Sequence, residues 1–222
     1  MRLKKIQDKN IYKHTMNYSK IIDISLSIGT ETIIYPGNPA VKIEELRSSA
    51  SGSTISKITL GSHTATHVDA QKHVIEGGKS LDDLPLTAFI GECRVIDCTK
   101  DRHAVSLETV EKAQIQKEER ILLKTYNSLR GFRTFYEDFI YVSSEAALYL
   151  SEIVQIIGID YFSIKQKGSK DNRPHTAFLE KNIPIIEGID LSKVEEGVYT
   201  LVALPLKLTA RDGAPIRAVL LQ

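Results

Sequence analysis

Apolar and polar positions alternate along much of the first sixty residues. Ile21-Ile-Asp-Ile-Ser-Leu26 alternates after its first position, Val41-Lys-Ile-Glu-Glu-Leu46 reads as a second strand, and Thr54-Ile-Ser-Lys-Ile-Thr-Leu60 as a third. Tyr35-Pro-Gly-Asn-Pro39 is a turn, in which Pro36 sets φ and Gly37 supplies the positive φ of a type II turn. Ser48-Ser-Ala-Ser-Gly-Ser53 is a flexible link. The third strand delivers the chain directly into a segment rich in histidine.

Beyond that segment the pattern changes period. Ser80-Leu-Asp-Asp-Leu84 has an N-cap Ser with an acid three positions on, and Ser106-Leu-Glu-Thr-Val-Glu111 opens a helix. Gly91–Asp97 is strand-like, and Arg120-Ile-Leu-Leu-Lys124 is a short apolar strand of the buried kind. Ser144–Ile157 has helical apolar spacing with Gly158 placed as a C-cap. Ile159–Ile164 then reads as a strand, Thr176–Glu180 as helical, Ile183–Glu187 as a short strand, and Tyr199–Leu208 and Ile216–Leu221 as further strands. Strands alternating with helices predict an α/β fold with a β-rich N-terminal portion, and no internal repeat or composition break marks a second domain. Lys165–Arg173, charged and containing Gly, reads as a solvated excursion.

Composition narrows the class. At 222 residues, with 42% hydrophobic and 26% charged positions, the chain is an ordinary globular protein with enough length for a sizeable core. A net charge of +1 gives no field to recruit nucleic acid or an anionic membrane. Apolar runs such as Leu201–Leu206 are far short of the roughly 18 residues a membrane span needs. Residues 1–17 start with charges and have no apolar segment behind them, so they read as a polar extension, an arm for a neighbouring subunit, rather than a secretory signal. Cys93 and Cys98 are too few for a disulfide framework and lie in an apolar run, which predicts buried free thiols and a cytoplasmic compartment.

The chemistry concentrates in His63-Thr-Ala-Thr-His67-Val-Asp69-Ala-Gln-Lys-His73, which holds three of the protein's 6 histidines. Imidazole with carboxylate suits a borderline divalent ion such as Zn²⁺ or Mn²⁺. In a strand, the two-residue step from His67 to Asp69 keeps both side chains on one face. The flanking Thr, Ala and Val are small and uncharged, which favours a metal site over a solvated loop. His63, His67 and Asp69 suffice for one ion with an open position for water, and a second ion sharing a carboxylate is the other arrangement. His175, at a helix start after Pro174, and Glu187, at a strand end, are the downstream candidates; the residues alone leave both open. His14 and His103 read as surface residues.

Taken together, His63–His73, His175 with Glu187 twelve residues on, and the tail Ala203-Leu-Pro-Leu-Lys207…Pro215-Ile-Arg-Ala-Val219 resemble the cyclase family of metal-dependent hydrolases. Bacterial kynurenine formamidase (arylformamidase) is its best-known member class and isatin hydrolase a relative. The similarity runs from about Ile21 to Leu221, and the family signature His-x-Gly-Thr-His-x-Asp-Ala-Pro-x-His keeps every ligand-type residue in register here. The resemblance implies a swivelling β/β/α domain over 18–222, assembled into homodimers or homotetramers. It implies that His63, His67 and Asp69 bind one metal, that Asp69 reaches a second held by His175, and that Glu187 contacts both. His73 aligns with the family's catalytic acid/base. The implied cofactor is two divalent ions, Zn²⁺ with Mn²⁺ as the alternative. Departures are Ala65 for Gly, Gln71 for Pro, and Tyr35 where the formamidase has a substrate-packing Trp; the chain has no Trp at all. The Lys165–Arg173 loop replaces a shorter family segment near the pocket, and its cations would favour a substrate carrying a carboxylate.

The activity so implied is hydrolysis of a small amide of the arylformamidase type by metal-activated water, with His73 as proton carrier and Tyr35 against the substrate. No covalent nucleophile is needed, and there is no Gly-x-Ser-x-Gly elbow. Kynurenine formamidase proper, in tryptophan catabolism, is one alternative. Another is a metal-dependent lyase or isomerase on a small hydroxy- or keto-acid, and a third is a metal-stabilised binding protein without turnover.

Overall fold

A computed structural model describes residues 18–47 and 52–222; the extension 1–17 and most of the Ser48–Ser53 link lie outside the described residues. The N-terminal part supplies β1 (Ile21–Asp23), β2 (Lys42–Arg47), β3 (Thr54–Thr59) and β4 (His67–Asp69). Next come β5 (Ile90–Asp97), β6 (Ala104–Val105), α1 (Leu107–Lys112), β7 (Glu119–Lys124), α2 (Tyr126–Arg130), β8 (Tyr141–Val142), α3 (Ser144–Leu150) and β9 (Val154–Ile159). The chain finishes with α4 (Arg173–Leu179), β10 (Ile185–Glu187), β11 (Gly197–Val202), β12 (Gly213–Pro215) and β13 (Val219–Leu221).

Nine strands form one mixed sheet in the order β1-β13-β11-β5-β7-β9-β10-β4-β12. Its centre is parallel, β5 to β7 to β9 to β10, joined by helical crossovers as the second half of the sequence predicts. Antiparallel strands flank that centre on both sides. The alternation of side chains divides the core in two. Val95, Leu122, Ile156 and Ile186 face one cluster, whereas Ile96, Ile121, Leu123, Ile157 and Ile185 face the other, beneath Val110 of α1, Leu150 of α3 and Phe178 of α4. Burial on both faces explains the unbroken apolar run Ile121-Leu-Leu123. Cys93 and Cys98 are buried free thiols, as expected. The ribbon β2–β3 stands apart from the sheet with all twelve residues exposed.

Several predicted boundaries move. The helix expected over Ser144–Ile157 stops at Leu150, and Val154–Ile159 is a strand. A run such as Val154-Gln-Ile-Ile, buried on both sides, carries no period that separates helix from strand. Gly158 is therefore not a C-cap. It lies inside β9, where a Cβ would come 2.5 Å from Leu122 Cδ2 and 3.2 Å from Ile189 Cδ1. The strand expected over Ile159–Ile164 ends at Ile159. The strand placed over Tyr199–Leu208 ends at Val202, and Ser80–Leu84 forms a single 3₁₀ turn, Leu81–Asp83. Among the described residues no helix is long and apolar enough to cross a membrane. Because Gly158 admits no side chain between two buried neighbours, Gly158→Ala should cost roughly 1–3 kcal/mol, read as a lower urea midpoint at unchanged slope.

Candidate metal centre

The short strand β4 is the scaffold of the site. It is hydrogen-bonded on both sides, with Asp69 opposite Ile185 of β10 and Gly213 of β12, and His67 opposite Glu187 and Pro215. His67 and Asp69, two apart, share a face as the sequence predicts, and the ladder sets Glu187 beside His67. His175 enters from the first turn of α4, which also contains Pro174. His63 comes from the loop before β4, and His73 from the 3₁₀ turn Gln71–His73 just after it.

These six side chains converge. His63 Nδ1 lies 2.8 Å from Asp69 Oδ1, and His67 Nε2 lies 3.4 Å from the same oxygen and 3.5 Å from Glu187 Oε2. His175 Nε2 is 3.4 Å from Glu187 Oε1 and 3.8 Å from Asp69 Oδ2. The His73 ring sits 4.0 Å from that of His63 and 5.6 Å from that of His175. His67 is oriented through Nδ1, 3.0 Å from the Ala65 carbonyl, and Ala65 has φ 55°, the left-handed conformation a glycine adopts more easily. Ile164 N–H donates to Glu187 Oε1 at 2.6 Å, tying the carboxylate to the segment after β9.

The charges are matched against burial. Burial alone would raise Asp69, but the His73 and His63 charges and hydrogen bonds from His63 and His67 hold it well below the ordinary carboxylate range. Glu187 is also held low, against burial and the Asp69 charge, by hydrogen bonds from His175 and His67. His67 is lifted to about 10: burial opposes its protonation, and its hydrogen bonds to the two carboxylates outweigh that. His73, open to solvent at the mouth but ringed by protein, is lowered by desolvation and by the neighbouring His63 and His175. Both carboxylates are thus ionised and aimed inward.

The donor set fits a divalent cation. Asp69 Oδ2 is buried without a hydrogen-bond partner among the described residues. Ligand atoms of His67, Asp69 and Glu187 lie within 4.8 Å of one another, and so do those of His63, Asp69 and His73. Asp69 belongs to both groups, which suits a carboxylate shared by two ions. The grouping puts His63 with His73 rather than with His67, so geometry alone allows His73 as ligand or as proton carrier.

Above these residues is a cavity of about 180 Å³, lined also by Tyr35, Asn38, Phe162, Ser163, Lys165 and Gln166. Lys165 and Gln166 therefore belong to the cavity wall, and Lys167 pairs with Glu137 at 2.6 Å, so the charged loop is not a free excursion. Tyr35 is braced edge-on by Phe135 at 5.2 Å, at the rim of an aromatic cluster with Phe132, Phe139, Tyr161 and Phe162. Sequence reading passes over that cluster because Phe132–Phe139 has no regular period. It also passes over Asp212, whose Oδ2 is 2.6 Å from His63 Nε2 across 149 residues of chain. His103 is exposed, as expected, and His14 lies outside the described residues.

Known proteins agree with this architecture. The Cyclase family, described as "Putative cyclase", matches residues 22–166. A protein of Salinibacter ruber named kynurenine formamidase is 33% identical over 204 residues, covering 90% of this chain and 96% of its own. The Bacillus anthracis protein of the same name is 34% identical over 209 residues, 92% of this chain and 99% of its own. Among solved structures, a potential metal-dependent hydrolase with cyclase activity superposes with a TM-score of 0.81 at 30% identity, covering 91% of this chain and 98% of that one. An isatin hydrolase bound to thioisatinate shares the fold, with a TM-score of 0.75 at 21% identity and 91% and 92% coverage. With its site geometry and its near full-length relatives, the chain belongs to the Cyclase family.

Proposed function

We propose that the chain is a metal-dependent hydrolase that cleaves the C–N bond of a small aryl amide with water. The observation that carries this is Asp69: a buried carboxylate with one oxygen unpaired among the described residues, shared by two groups of potential ligands beneath an open cavity. Its relatives named kynurenine formamidase, and its solved neighbour called a metal-dependent hydrolase, support the same chemistry.

His63, His67, Asp69, His175 and Glu187 would hold one or two divalent ions, Zn²⁺ or Mn²⁺. An ion held there would lower the pKa of bound water toward about 7 and polarise a carbonyl oxygen. His73, at the mouth and beside His63, would accept the proton from water and return it to the departing nitrogen. Tyr35 and Phe162 would flank the substrate ring, and burial with the Glu187 charge keeps the Tyr35 phenol protonated. Neither cysteine competes as a nucleophile, since burial pushes both thiols up, Cys93 to about 12. The cavity is smaller than the roughly 300–1,000 Å³ usual for drug-sized ligands, which favours a compact substrate. The names of its relatives favour kynurenine formamidase itself as the second reading, in tryptophan catabolism. Exposed apolar pairs on the β2–β3 ribbon, Ile43 with Ile58 and Leu46 with Ile55, suit a homodimer or homotetramer, and the buried free thiols suit a cytoplasmic setting.

Protein purified without added metal should contain a divalent ion, and His63→Ala and Asp69→Ala should each lose most of it by elemental analysis; retention of parental content would sink the site. His73→Ala should keep its metal yet lose about 10²–10⁴-fold in kcat; a lost metal equivalent would make His73 a ligand instead. Formanilide turnover should stop with chelator, return with metal, and place one ¹⁸O from labelled water in the product acid. Deuterium exchange at carbon without that oxygen would mark a lyase or isomerase. N-formylkynurenine should be a poor substrate, and a kcat/KM above about 10⁵ M⁻¹s⁻¹ would establish kynurenine formamidase.

A further inference from the structure

His67 and His63 are oriented differently. His67 rests its Nδ1 on a backbone carbonyl, that of Ala65, and lies on a strand. His63 lies on an irregular loop, and its ring is spanned by two carboxylates, Asp69 Oδ1 at 2.8 Å from Nδ1 and Asp212 Oδ2 at 2.6 Å from Nε2. Asp69 is fully buried within the site, whereas the Asp212 side chain is 37% exposed and outside both groups of potential ligands.

We propose that Asp212 is a positioning residue that accepts the Nε2–H hydrogen bond of His63, fixing the tautomer and ring angle that leave Nδ1 facing Asp69 and a divalent ion. This rests on the reading of His63 as a metal ligand. An outer carboxylate of this kind holds a ligating imidazole in orientation and raises its basicity. The backbone around Asp212 is built for the approach. The Asp212 carbonyl accepts Ala70 N–H at 2.8 Å, anchoring the segment to the end of β4 independently of the side chain. At the next residue, Gly213, a Cβ would lie 2.5 Å from Val68 O and 2.9 Å from His63 Cε1, so only glycine lets this backbone lie against the imidazole. Ser62 Oγ donates to the same carboxylate, at 3.2 Å from each oxygen. The arrangement joins the start of the histidine segment to the C-terminal tail.

The test measures Zn²⁺ affinity by competition with a chromophoric chelator, together with ¹⁵N NMR of the His63 ring in the Zn²⁺-loaded protein. The parent should show a protonated Nε2 and an unprotonated Nδ1. Asp212→Ala should weaken Zn²⁺ binding roughly 10–100-fold and expose the Nε2 proton to fast exchange. Asp212→Asn, which keeps an acceptor oxygen without the charge, should retain the tautomer and lose less. Ser62→Ala should stay within about twofold of the parent. Parental affinity and an unchanged Nε2 proton in Asp212→Ala would overturn the proposal alone. So would a Ser62→Ala loss equal to that of Asp212→Ala with the tautomer intact, which would mean that Asp212 merely holds the loop. Undiminished Zn²⁺ binding in His63→Ala would instead overturn the ligand reading, and the proposal with it.

Discussion

Everything at the centre of this molecule is arranged around Asp69, a carboxylate buried in a strand that is paired on both sides. An isolated charge in that position would cost far more than a single domain can spare, so it survives only among compensating charges and donors. The protein meets that demand with imidazoles delivered from separate parts of the chain: His63 from the loop before β4, His67 from β4 itself, His73 from the turn after it, and His175 from α4. Glu187 adds a second buried negative charge across the ladder, and the same imidazoles compensate it. One oxygen of Asp69 still lacks a hydrogen bond among the described residues, which is the position a cation would satisfy.

The fold follows from where that strand must sit. β4 is wedged between β10, the last parallel strand, and β12 at the edge, so it lies where the parallel centre meets the antiparallel flank. Glu187 ends β10, and the carboxyl ends of parallel strands are where α/β sheets leave room for ligands. Local backbone geometry then becomes part of the site. Ala65 takes a left-handed conformation that turns its carbonyl to the His67 ring, while Thr66 Oγ1 donates to Gly188 O at 2.5 Å and accepts from Leu26 N–H at 2.8 Å. Residues near the two ends and the middle of the chain are thereby held at one point. Strain at such a turn is stable only because the surrounding contacts over-determine it.

The wall of the cavity is less rigidly specified than its floor. His67 and Glu187 of the floor lie on strands and His175 on a helix, whereas the wall is Tyr35, Phe162 and the first residues of the charged loop, braced by aromatic contacts and by the pair Lys167–Glu137. Substrate choice would therefore depend on loop packing, while metal chemistry depends on the ladder.

That His67 and Asp69 share one face was legible in the sequence, because His67-Val-Asp69 alternates within a strand and side-chain direction there is a local property of the backbone. The alternation of strands with helices in the second half was also legible, from short apolar runs followed by capped helical segments such as that after Ser106. Where helix α3 ends and β9 begins was not, since residues buried on both faces lose the period that tells the two apart. Nor could spacing reveal that Asp212 meets His63, that Phe135 braces Tyr35, or that His73 groups with His63 and Asp69. Those contacts join segments far apart in the chain or turn a loop back on itself. They exist only once sheet order and register are set, and register is fixed by the packing of the whole core rather than by any one stretch of residues.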